Sequence, residues 1–146
     1  MEHYEDLVLN RSDRPMVYAN DVRKLNLSST RRVLAEASVK LESARLLADK
    51  ACDLAWEIAI DSTHVPDNRA RARIRILGVY AMQQCLQVVD SIFMDSGGSS
   101  LHERSPMQRL HRDIHAMNMH EAMHWDTMLE TYGRLRLGQA TTHWLL

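Results

Sequence analysis

The chain has 146 residues, 45% of them apolar and 25% charged, with a formal net charge of −1. That size predicts one domain with a core that needs neither disulfide nor metal. The balanced charge excludes a general basic field for nucleic acid and a polybasic membrane patch, and no apolar run reads as long enough to span a bilayer.

The acidic start "MEHYEDLVLNR" lacks the pattern of a secretory signal. Cys52 and Cys85, the only cysteines, fall in helical apolar patterns, which predicts reduced thiols and a cytoplasmic location. Residues 1–27 read as a short helical segment with a connection around Pro15. "LSSTRRVLAEASVKLESARLLADKACDLAWEIAID" then predicts a long helix capped by Ser28 or Ser29. Its seam Leu34, Ala37, Leu41, Ala44, Ala48, Ala51, Ala55 and Ile58 alternates steps of three and four, the period of helix–helix packing. The alanines let a neighbouring helix approach closely. Pro66 and Asn68 break it.

A second helix follows with Ile74, Leu77, Ala81, Gln84, Val88 and Ile92 at the same period, and Gln84 within the stripe predicts a polar partner or a groove. Gly97 and Gly98 stop it. Ser105 with Pro106 at the first helical position opens a third segment. Its stripe runs Met107, Leu110, Ile114, Met117, Glu121, Trp125, Met128, Tyr132, with Gly133 closing it; one helix and two helices broken near Met119 both fit. Residues 139–146 form a tail. No strand pattern, repeat or low-complexity tract stands out, so the expected fold is all-α, an up-and-down helical bundle.

"HEAMH", His120 to His124, matches the helical zinc signature H-E-x-x-H, which puts two histidines on one helical face. A third ligand is poorly supplied. Thr127 and Glu130 stand where an extended signature wants glycine and histidine. His111 and His115 make a second i,i+4 pair, but the other helices offer no inward Glu-x-x-His set for a di-metal centre. The expectation is no metal, with His102, His111 and His115 as surface or rim residues.

One ordered set of motifs is more specific: Gly97–Gly98, Ser105-Pro106-Met107-Gln108-Arg109, Arg112–Asp113, His120 seven residues later, Trp125–Asp126, Tyr132–Gly133 and Leu137–Gly138. It resembles the C-terminal helical domain of the acyl-CoA dehydrogenase superfamily, and most closely its flavin-dependent two-component monooxygenases. The likeness covers about residues 28–138, the helical bundle. It implies that His120 is the acid/base acting on a phenolic or similar substrate beside a flavin. It sets Glu121 at the dehydrogenases' proton-abstracting position, although Ala122–Met123 replace their Gly-Thr. It implies that Gly97 and Gly98 approach FMN or FAD, and that Arg109, Arg112 and Asp113 organise that corner or simply hold the fold by a salt bridge.

Such enzymes carry an N-terminal helical domain and a β-domain ahead of this one, and the 146 residues contain neither. The resemblance therefore implies flavin binding with a partner subunit that supplies those domains, or within a homo-oligomer, a dimer or tetramer. Three functions compete: a stand-alone or split monooxygenase component hydroxylating a small aromatic or polyketide-like molecule; a flavin-independent cyclase, isomerase or lyase using the same pocket; and a non-catalytic oligomerisation subunit.

Overall fold

In the computed structural model the residues described are 15–16, 19–61, 65 and 67–141. Their order is β1 (Pro15–Met16), β2 (Ala19–Arg23), a 3-10 turn (Lys24–Asn26), α1 (Ser28–Ile60), α2 (Asn68–Ser96), a 3-10 turn (Gly98–Leu101), α3 (Pro106–Asn118), a 3-10 turn (Glu121–Met123) and α4 (Trp125–Arg136). The fold is an all-α bundle with one small appendage. That appendage departs from the sequence reading: β1 and β2 form an antiparallel two-stranded ribbon, where a short helix and a connection were expected. Among the described residues before α1, only Lys24–Asn26 is helical, as a single 3-10 turn; residues 1–14 and 17–18 lie outside the described residues.

α2 is the hub. α1 packs along it, and α3 and α4 pack on it in turn. By length and composition α2 is also long and apolar enough to cross a bilayer, with a mean hydropathy of 1.2 over its best window. The sequence reading had admitted no such run. In this fold it is the helix on which the other three assemble.

The seam of α1 is largely as expected. Ala37 and Ala44 are buried and Leu34, Leu41, Ala48, Ala51 and Ile58 half-buried, whereas Ala55 is exposed. Ala37 meets Val88 and Ile92 of α2 and Met107 of α3 in the core, with Val33, Leu34, Leu41 and Phe93 packed around them. A polar clasp closes this end. Asp95 of α2 receives Lys24 Nζ at 2.9 Å and the hydroxyl of buried Thr30 at 3.4 Å. The far half of α1, beyond Ala44, buries no residue completely.

Helix ends follow local chemistry, with three departures from expectation. α1 starts after Leu27 with no side-chain cap, and Ser28 lies inside it. α2 has a real cap: Asp67 Oδ1 accepts the Ala70 N–H at 2.7 Å. Ser105 does precede α3, with Pro106 in the first turn, but its hydroxyl makes no capping bond. Gly133 does not stop α4, which runs through to Arg136. The stop is Gly138, at φ +73°, where Gln139 N–H reaches Arg134 O at 2.9 Å and Gly138 N–H reaches Leu135 O at 3.2 Å. That pair of bonds is the Schellman arrangement, which needs the left-handed conformation glycine adopts freely.

Candidate functional site

The third segment is two helices, and the break decides what "HEAMH" is. α3 ends at Asn118, whose side-chain oxygen accepts Gln83 Nε2 of α2 at 2.6 Å. The polar partner expected for Gln84 thus belongs to its neighbour. His120 then turns extended, with φ −67° and ψ 133°, and its own Nδ1 accepts the Ala122 N–H at 3.1 Å. Side chains that bond nearby backbone in this way compete with the helical ladder. His124 repeats the device: it is extended at ψ 110° and caps α4, with Nδ1 2.8 Å from Thr127 Oγ1.

The two histidines therefore do not share a helical face, as the zinc reading of the pentapeptide requires. Each lies just outside a helical element, with Nδ1 engaged as a cap. Both are exposed, as is Glu121.

The turn nevertheless has a fixed place. Arg75 of α2 donates from Nη2 to the Ala122 carbonyl at 3.2 Å, which pins the turn onto the bundle. Beneath it lies a groove of about 400 Å³ between Ala51 and Ala55 of α1, Ile74 and Val79 of α2, and Ala122 and Met123. Cys52, Arg75 and Gly78 complete its lining. Arg75 is its one charged residue, and the volume lies within the range that holds a small organic molecule. His120 and Glu121 flank this wall in sequence, but their side chains are not part of the lining.

The other sequence-predicted residues lie elsewhere. Gly97 has φ +74° and ψ −177°, and closes α2 with its N–H on Met94 O at 3.2 Å. A Cβ built on Gly97 or Gly98 would meet no heavy atom within 4 Å, so the face beside both is open. Buried Ser100 fixes this turn by donating to Gly97 O at 2.6 Å. Arg109, Arg112 and Asp113 are exposed on α3. Asp113 lies 3.8 Å from Arg109 Nε and 3.6 Å from Arg112 Nε. These are long, solvated contacts that hold little of the fold together, so both guanidinium groups remain available to an anion. Arg109 also lines a hollow of about 430 Å³ with Glu103, Arg104, Ser105, Pro106 and Leu110, at the N-terminus of α3. Two arginines beside a helix N-terminus suit a phosphate oxygen.

Sequence reasoning missed one cluster. Asp90 of α2 meets both His111 and His115 of α3. Nε2 of His115 is 2.7 Å and Nε2 of His111 3.2 Å from the same carboxylate oxygen. The i,i+4 histidine pair was visible in the sequence. Its carboxylate was not, because it comes from a different helix.

The model for the acyl-CoA dehydrogenase C-terminal domain matches residues 2–125. The oxygenase component of p-hydroxyphenylacetate 3-hydroxylase from Acinetobacter baumannii is 29% identical over 108 residues, which cover 72% of this chain and 25% of that protein. Among solved structures, XiaF from Streptomyces sp., in complex with FADH2 and glycerol, superposes with a TM-score of 0.83 at 20% identity over 95% of this chain and 35% of its own. The 3-HSA hydroxylase from Rhodococcus sp. RHA1 gives 0.80 at 24% identity, covering 98% of this chain and 37% of that one. The HsaA monooxygenase from M. tuberculosis gives 0.77 at 22%, covering 97% and 35%. The chain thus spans between a quarter and two fifths of the length of these relatives.

Proposed function

This chain belongs to the acyl-CoA dehydrogenase C-terminal domain family, and from that premise we propose that it is the helical component of a flavin-dependent monooxygenase. It acts on a small aromatic or polyketide-like molecule. Its flavin, FMN or FAD, is held together with a partner subunit or within a homo-oligomer. The observation that carries this reading is the Arg75–Ala122 bond, which seats the His120-bearing turn over an apolar groove of suitable size.

The residues present fit a flavin. The open face beside Gly97 and Gly98 leaves room for a flat ring or a diphosphate, and Arg109 with Arg104 at the start of α3 would hold phosphate oxygens. When bound, the flavin would supply the oxygen-activating redox chemistry.

What the protein's own residues do follows from the His120 ring. With Nδ1 accepting from Ala122, the neutral imidazole carries its proton on Nε2. His120 therefore offers a hydrogen-bond donor to a substrate oxygen and stabilises phenolate character there. To work as a base at Nε2 it would have to give up the Ala122 contact. The donor role refines the acid/base role that the family resemblance implies. Glu121, exposed on the same turn, is the less favoured group, because Ala122 and Met123 follow it where the dehydrogenases have Gly-Thr.

A homo-oligomer is supported by α1. Val39, Leu46, Trp56 and Ile60 are exposed by 64–68% along a helix that, among the described residues, packs extensively only on α2. Such an uncovered apolar row favours a second copy. Leu46→Glu is expected to lower the mass measured by light scattering to that of the monomer; a wild-type monomer would exclude this.

Two experiments test the function. FMN and FAD are titrated into the purified chain, and into the chain isolated from its own host with its associated subunits. A perturbed visible spectrum in either preparation supports flavin binding, and none in both overturns it. The second experiment uses 4-nitrophenol, whose colour reports its ionisation. Bound ligand should ionise at lower pH than free ligand; His120→Ala should abolish that difference and His120→Gln retain part of it. An unchanged difference in His120→Ala sinks the donor role.

A further inference from the structure

We propose that Asp90, His111 and His115 form a binding site for a divalent first-row transition-metal ion. His111 and His115 are one turn apart on α3, so both imidazoles leave the same face. α2 carries Asp90 onto that face. One potential ligand atom from each residue lies within 4.8 Å of the other two. A zinc ion with bonds of about 2.0–2.1 Å sets tetrahedral ligand atoms roughly 3.4 Å apart. The His111–Asp90 separation of 3.2 Å is close to that value, and the His115–Asp90 separation of 2.7 Å needs only a small side-chain rotation to reach it.

The ligand set is also held in place. His111 stacks on Phe93 with ring centroids 4.1 Å apart and planes at 20°. His115 lies 4.5 Å from His111, ring to ring. Phe93 itself packs against the core, so the direction of the His111 nitrogen is fixed from behind. Binding an ion therefore demands little ordering.

The side chains of His111, His115 and Asp90 are 32%, 43% and 42% exposed. Water can reach the remaining coordination positions, which is the open arrangement rather than the closed, fully protein-ligated one. Two imidazoles and one carboxylate select zinc, iron(II), cobalt or nickel. Magnesium and calcium prefer all-oxygen sets. Without an ion, the Asp90 carboxylate accepts an N–H from each ring. An ion bound at Nε2 takes the place of that hydrogen, and each neutral ring then carries its proton on Nδ1. The simpler role of the same residues is a hydrogen-bonded clasp between α2 and α3.

The test uses the metal alone on the metal-stripped, full-length chain. Zn2+ is titrated by calorimetry, and Co2+ serves as a probe that absorbs visible light. One equivalent per chain is expected. His115→Ala should weaken binding roughly tenfold or more, since even residues outside the ligand shell contribute that much at metal sites. His111→Phe keeps a ring against Phe93 while removing the ligand nitrogen, and should weaken binding likewise. Asp90→Asn, close to isosteric, gives a third reading if a histidine variant loses its helical circular dichroism. His120→Ala and His124→Ala should leave the affinity unchanged. Absence of stoichiometric binding, or affinity insensitive to His111→Phe and Asp90→Asn, reduces the cluster to the clasp. Loss of binding in His124→Ala would move the ion to the other histidine pair and overturn the proposal.

Discussion

Met128→Ala isolates how far packing on α2 stabilises the chain. Met128 is 0% exposed, the largest of the fully buried side chains, and lies on α4 immediately after the His120 turn. The substitution removes Cγ, Sδ and Cε from a site with no solvent on any side. Large-to-small truncation of this kind costs about 2–5 kcal/mol, offset by a few tenths for alanine's better helix propensity. For a chain of this length each kcal/mol moves the melting temperature by about 2–4 °C, so the fall should be roughly 4–20 °C. Met119→Ala is the matched control, because it removes the same atoms at 83% exposure, where surface changes stay within about 0.5 kcal/mol. Both are read by thermal unfolding at one protein concentration, since assembly would make the midpoint depend on it. α4 follows the turn directly, so the larger loss should also speed hydrogen exchange at the Ala122 amide. Equal shifts for the two variants would refute the assignment of Met128 to the α2–α4 core.

Two further comparisons use the same logic. Asp67→Ala should cost about 1 kcal/mol through loss of the Ala70 cap, whereas Ser105→Ala should cost clearly less, because Ser105 makes no capping bond; equal costs in urea unfolding would count against the caps as described. Burial pushes the Cys85 thiol above its ordinary range, while Cys52 is exposed beside the groove. Maleimide at neutral pH should therefore modify Cys52 first, and equal rates would contradict this. The Cys85 shift also has a stability sign. The unfolded chain releases the thiol proton at lower pH than the folded one, so this contribution is complete below the ordinary thiol pKa and is lost as pH rises towards the folded value. Cys85→Ala should flatten that part of the stability curve, and an unchanged slope would exclude the cause.

The helices and the hub were legible in the sequence because a three-four alternation is physically forced wherever one helix buries a stripe on another. Ala37, Ala44, Val88 and Met107 were all marked by that period and all lie at or near full burial. The rule alone could not choose where a side chain competes with it. The stripe through Met117, Glu121 and Trp125 fits one helix or two broken near Met119, and the structure has two, because His120 and His124 each turn Nδ1 onto nearby backbone. Histidine is absent from the usual capping inventory, so the pattern did not say which residues make the break. Gly133 was misread: a glycine reads as a stop, but the stop requires the left-handed conformation, which Gly138 supplies.

The candidate site divides along the same line between local and non-local information. His120, Glu121 and the Arg109–Asp113 stretch are neighbours in sequence, and each could be named from it. What places them comes from elsewhere in the chain: Arg75 from α2 pins the turn from 47 positions away, and Asp90 from α2 adds a carboxylate to the histidine pair that the sequence showed. Both residues lie on the hub helix, within stretches where the sequence pattern shows only a partly apolar helix. α2 thus carries both proposed sites on one scaffold, the His120 turn towards its N-terminal half and the Asp–His cluster towards its C-terminal half. Substituting Arg75 should therefore disturb the 4-nitrophenol response while leaving metal affinity intact, and Asp90→Asn should do the reverse. Coupled loss in both variants would show a single cooperative unit in place of two independent sites.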